Sequence, residues 1–91
     1  MTNREIVAQY HEDAIVFTEE WYDEAIIGVT TEGNAVYDYD KLAEILMEHD
    51  KMTYEDAIEW IDYNMVRGAA YMGTDRPFIV YTMKSMREDV E

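Results

Sequence analysis

The strongest constraint on this chain is a pair of β-forming runs set around a glycine turn. Ala25-Ile26-Ile27-Gly28-Val29-Thr30 and Ala35-Val36-Tyr37-Asp38-Tyr39 are rich in β-branched and aromatic residues. Between them lies Thr31-Glu32-Gly33-Asn34, where Gly33 supplies the positive φ that such a turn needs. A β-hairpin is expected here. A hairpin alone is marginal in water, so the rest of the chain must cover its apolar face.

Helical periodicity supplies that cover. Ile6, Val7 and Tyr10 predict a short amphipathic helix over residues 3–11. Asp40 fits a helix N-cap, and Leu42, Ile45, Leu46 and His49 recur on one face behind it. Thr53-Tyr54-Glu55-Asp56 begins a second helix in the manner of a capping box. Its apolar stripe is Tyr54, Ala57, Ile58, Ile61 and Met65, and Gly68 or Gly73 should end it. Ala14-Ile15-Val16-Phe17 fits either a strand or part of a longer helix. Behind Pro77, Phe78-Ile79-Val80-Tyr81 reads as a strand, and a charged tail follows from Lys84. The expected fold is α+β: one domain over residues 1–91, with a small antiparallel sheet (hairpin plus C-terminal strand) covered by two or three helices.

Charge narrows the partners. Asp and Glu number 21 against 7 Lys and Arg, a formal net charge of −14. A phosphate backbone is repelled by such a chain, so direct nucleic-acid binding is not expected. Anionic membrane surfaces are disfavoured for the same reason. No apolar run approaches a bilayer's thickness, and Met1-Thr2-Asn3-Arg4-Glu5 lacks the basic-then-apolar order of a signal peptide. With no cysteine there is no disulfide, zinc knot or thiol nucleophile. A cytoplasmic location is expected.

Chemistry-bearing motifs are scarce, and no catalytic residue, cofactor or metal site is assigned. The one serine, Ser85, stands in the charged tail, and no phosphate-cradling glycine loop occurs. His11-Glu12-Asp13 places three ligand types in a row, but adjacent side chains on a helix do not converge. His49 suits a helix C-terminus, where the dipole favours a cation. Asp38 and Asp40 fit a divalent cation by residue type, yet the residues that follow break the calcium-loop pattern. Helix capping by Asp40 and a solvated strand end are the plainer account of the pair.

The aromatic residues offer two candidate contact surfaces. At 100° per residue, Asp56, Trp60, Tyr63 and Arg67 share a second face of the helix that starts at Thr53. Trp, Tyr and Arg are the types enriched at binding hot spots, although Trp60 packed on the hairpin as core is the plainer alternative. The run Glu19-Glu20-Trp21-Tyr22-Asp23-Glu24 sets two aromatics among four acids. It reads either as a solvated loop or as a patch whose aromatics anchor and whose acids steer.

Four phrases also occur in a telling order: Ala25-Ile26-Ile27-Gly28-Val29-Thr30, Val36-Tyr37-Asp38-Tyr39-Asp40, Glu59-Trp60-Ile61-Asp62-Tyr63-Asn64, and Tyr71-Met72-Gly73 ahead of Pro77. Across residues 21–83 the chain resembles a family of small acidic bacteriophage and prophage proteins of unknown function. The resemblance implies a phage setting, in which small acidic proteins often block host machinery. The expectation is then a non-enzymatic inhibitor, acting in the host cytoplasm on a basic surface of a nucleic-acid-handling protein, as anti-CRISPR and anti-restriction proteins do. The alternatives are a phage structural or regulatory homo-oligomer, with an aromatic face as its self-interface in a homodimer, and an enzyme with a carboxylate-held metal.

The carboxylate surplus has a direct consequence for stability. Folding crowds like charges, and salt screens them. The melting temperature at neutral pH is expected to rise as salt goes from about 0.01 M to about 0.1 M and the screening length contracts from about 30 Å to about 10 Å. Calorimetry in the two buffers checks this; a fall with salt would show that attractive ion pairs dominate instead.

Overall fold

In the computed structural model, residues 1–90 are described, and side-chain environments are described for residues 1–88. Four threonine or aspartate side chains start its main helices. Thr2 accepts from Glu5 N at 3.4 Å and opens α1 (Asn3–Tyr10). Asp38 Oδ1 accepts from the backbone of Asp40 and Lys41 and opens α2 (Tyr39–His49). Thr53 accepts from Asp56 N at 3.2 Å and opens α3 (Tyr54–Trp60). Thr82 accepts from Ser85 N at 3.1 Å at the start of α5 (Met83–Val90). Each bond satisfies a donor that a helix end otherwise leaves orphaned. A π-helical stretch, Ile61–Val66, continues α3 into α4 (Arg67–Ala70).

The expected hairpin is present. Strands β1 (Ile26–Val29) and β2 (Ala35–Asp38) pair antiparallel, with a bulge between Ile26 and Gly28. Gly33 holds φ at +100°, and a Cβ there would lie 2.8 Å from the His11 ring, so glycine is required twice over. Strand β3 (Phe78–Val80) pairs with β2, giving the order β1-β2-β3. The fold is α+β, with five α-helices around a three-stranded mixed sheet among the described residues.

The structure corrects several local expectations. β3 runs parallel to β2, not antiparallel. The connection over residues 39–77 passes through four helical elements, α2, α3, the π-helical stretch and α4, long enough for a parallel return. Asp38, not Asp40, caps α2, because the chain turns helical directly after β2. Residues 14–17 form neither strand nor helix. They run as an irregular segment held by Ile15 N to the Asp75 carbonyl and Phe17 N to Tyr37 Oη, both within 3.1 Å. Tyr54, expected in the core stripe, is exposed at the first turn of α3, whereas Ala57, Ile61 and Met65 are buried. The charged tail from Lys84 is the helix α5. Gly68 lies within α4, and it is Gly73, at φ +84°, that follows the helix end.

One contiguous core joins these elements. Tyr37, Leu42, Leu46 and Ile61 are fully buried between β2, α2 and the helix behind α3. Two buried polar side chains tie the periphery to it. Asn34 donates to the carbonyls of Thr74 and Arg76 at 2.7 and 2.9 Å, fixing the segment that leads into β3. Asp23 receives Arg4 Nε at 2.8 and 2.9 Å, while Arg4 Nη2 reaches the Phe17 carbonyl at 2.7 Å. Its neighbour Asn3 donates to the carbonyls of Asp23 and Ile26. Thus α1, the irregular segment and β1 are stitched together mainly by polar bonds; within α1 only Val7 is buried.

Two predictions follow from this polar framework. Arg4→Met leaves the Asp23 carboxylate without its cation and is expected to cost about 3 kcal/mol in urea denaturation, with the Arg4→Met/Asp23→Leu pair costing less than the single change. A cost near zero would mean that water replaces the pair freely. The second concerns the phenols. Burial pushes Tyr37 up to about 12 and also raises Tyr39, whose hydroxyl bonds Asp62 at 2.9 Å. Above about pH 10 the unfolded chain loses protons that the folded chain keeps, so stability falls as pH rises toward 12. Alkaline titration should show a late step in which phenolate absorbance and ellipticity change together; full phenol ionisation with ellipticity intact would contradict it.

Candidate functional site

The two aromatic surfaces read from the sequence fare differently. In the run 19–24, residues Glu20–Ala25 wind into a 3₁₀ helix. Its short turn puts Tyr22 and Asp23 inward, and both are buried. Tyr22 meets Phe17 edge-on and Asp23 holds Arg4, so neither belongs to a contact surface. Glu19, Glu20, Trp21 and Glu24 remain exposed. Trp21 is not free either, because one face of its indole stacks on His49, with centroids 4.1 Å apart and planes 14° from parallel. His49 Nδ1 in turn lies 2.9 Å from Asp50 Oδ1. The end of α2 is thereby locked to the 3₁₀ helix.

The face on α3 is a shallow groove of about 400 Å³. Asp56, Glu59, Trp60, Tyr63 and Asn64 line it, with Met52 as the wall contributed by the preceding loop. The helix residues fall at the spacing that puts side chains on one face. Trp60 is half-buried and packs against the core while also lining the groove, and Tyr63 is 64% exposed. Asp56 and Glu59 are exposed on the rim, and neither makes a salt bridge among the described residues.

A wide turn shapes this groove. Arg67 N bonds to the Asp62 carbonyl, five residues back, which marks the π-helical register of 61–66. Such widened turns occur often at functional sites. The Asn64 amide donates to the Trp60 carbonyl at 3.1 Å, taking up an acceptor beside the wide turn. Arg67 lies outside the groove lining and places its guanidinium 4.5 Å from the Tyr63 ring centre. Nothing in the apolar periodicity distinguishes a π turn from an α turn over so few residues, so this feature was invisible to sequence reading.

The other candidates are engaged locally. Asp38 caps α2, and Asp40 accepts from the Ser85 hydroxyl. His11 packs over Gly33, while Glu12 and Asp13 face solvent. Among the described residues, no group of three or more His, Asp or Glu side chains is placed to hold a metal ion, and no helix is long and apolar enough to cross a membrane. No protein-family model matches the chain, and no curated protein or solved structure shows significant similarity to it.

Proposed function

We propose that this protein is a non-enzymatic interaction protein that docks the α3 groove onto a basic surface of a nucleic-acid-handling protein and blocks it. The observation that carries this reading is the groove itself, which sets Trp60 and Tyr63 beside the exposed carboxylates of Asp56 and Glu59. Aromatic rings bind the stems and charges of Arg and Lys, and free carboxylates add steering and hydrogen-bond acceptors. The net charge of −14 extends this locally favourable site into a field that attracts basic proteins. Carboxylates on a rigid surface stand where phosphates would otherwise lie. Bond-making chemistry is not required, and the one serine spends its hydroxyl on Asp40. The phage setting rests on the resemblance over residues 21–83; in it, the target is a host defence or nucleic-acid enzyme and the site of action is the host cytoplasm.

The test is capture from bacterial host lysate at low salt, with elution by salt, followed by affinity measurement on the purified target. Tyr63→Ala and Trp60→Ala are expected to weaken binding about 30-fold or more, and Glu59→Gln to change mainly the association rate. Tyr63 is the decisive position because its exposure lets the variant stay folded. Wild-type affinity in a folded Tyr63→Ala protein, or tight binding to duplex DNA alone, would overturn the proposal.

A further inference from the structure

A second groove, of about 210 Å³, lies between α1 and β1. It is lined by Asn3, Ile6, Val7 and Tyr10 of α1 and by all four residues of β1. Side chains alternate along a strand, so a groove on one sheet face would meet every second residue. The bulge between Ile26 and Gly28 breaks that alternation here, and all four residues of β1 border the groove. β1 is the end of the sheet, and the one described polar cover on that edge is Asn3 Nδ2, bonded to the Ile26 carbonyl at 3.2 Å. Ile27 and Tyr10 are 53% and 74% exposed, and Ile6 and Val29 are also open to solvent.

Proteins guard open edges with charge or proline, with short or bulged strands, or with a covering helix. At the opposite edge Arg76 and Pro77 stand at the start of β3. β1 has no charge or proline and relies on its shortness, its bulge and the flanking α1, which leave Ile27 and Val29 exposed; no residue lining its groove is charged in a chain with 21 acids. We infer that a second copy of this chain covers the β1–α1 face, forming a twofold dimer. Charge selects this occupant. Two bodies of −14 each repel wherever their acids face one another, so they can meet only on a face free of charge. A basic partner is drawn instead to the carboxylates that this groove lacks. A twofold axis sets Ile27, Val29 and Tyr10 against the same patch of the mate, and an antiparallel β1–β1 pairing matches donors to acceptors without any other sequence. The inference stands apart from the α3 groove; together the two would present a pair of acidic grooves on one particle, adding avidity without new contacts.

Sedimentation equilibrium of the full chain, from about 5 µM to about 500 µM, tests it at low and raised salt. The expected result is twice the chain mass of 10.8 kDa, with self-affinity rising as salt screens the repulsion. Ile27→Glu puts like charges at the axis and is expected to weaken self-association about 100-fold, whereas Tyr63→Ala leaves it unchanged. Ellipticity confirms folding, and a Val29→Glu variant serves if Ile27→Glu unfolds. Amide exchange in β1 should slow with protein concentration. A monomer at every concentration and salt, a dimer that both glutamate variants leave intact, or a dimer that salt dissociates would each overturn the inference.

Discussion

Asp23 is the one carboxylate that the described fold buries, and Arg4 is what permits it. A carboxylate leaves water only when its charge is met and its lone pairs are used. Arg4 does both, with a two-oxygen contact, and its third contact reaches the Phe17 carbonyl. The guanidinium is in turn held above its ordinary range by its hydrogen bonding to the Asp23 carboxylate. Without this link, α1 would keep only Val7 and the two Asn3 bonds, and the segment over residues 12–19 would lose its side-chain tie to α1. Phe17, whose N–H already donates to Tyr37 Oη and whose ring approaches that of Tyr37 to 4.7 Å, would be anchored from one side only. The edge of the core behind β2 is thus braced by a cation and an acid nineteen residues apart in sequence.

That pairing explains where sequence reading succeeds and where it stops. The hairpin, the Thr53 cap and the Leu42–Ile45–Leu46 face are local features, written in the spacing of neighbouring residues. Asp23 looked like one more member of an acidic run, since its partner is remote and nothing nearby marks it as buried. The direction of β3 is likewise a long-range outcome of four helical elements between two strands. The shift of the α2 cap from Asp40 to Asp38 has a different cause. Two aspartates two residues apart compete for one role, and the strand's end decides between them.

The candidate site was legible in part. Helical spacing alone placed Asp56, Trp60, Tyr63 and Arg67 on one face; the groove brings together the first three and leaves Arg67 outside its lining. Glu59, Asn64 and Met52 were not singled out. Glu59 and Asn64 are ordinary polar positions on a helix, and Met52 belongs to a loop whose path the periodicity does not describe. The Trp21–His49 stack was also hidden, because it joins two elements separated by the whole hairpin.

The π turn at 61–66 carries a further meaning in terms of insertions and deletions. A π turn holds one residue more than the α-helix it interrupts, absorbed as a local bulge while the flanking helices keep their faces. Losing one residue here would restore ordinary helical bonding, with Ala57 and Ala69 still directed at the core. Arg67, which ordinary helical spacing would set on the face of Trp60 and Tyr63, is absent from the groove lining beyond that extra residue. Chain length in this short stretch thus governs which side chains share the groove's face while the core-facing positions keep theirs, so an alignment gap at this point would mark chains with a differently arranged second face on the same architecture.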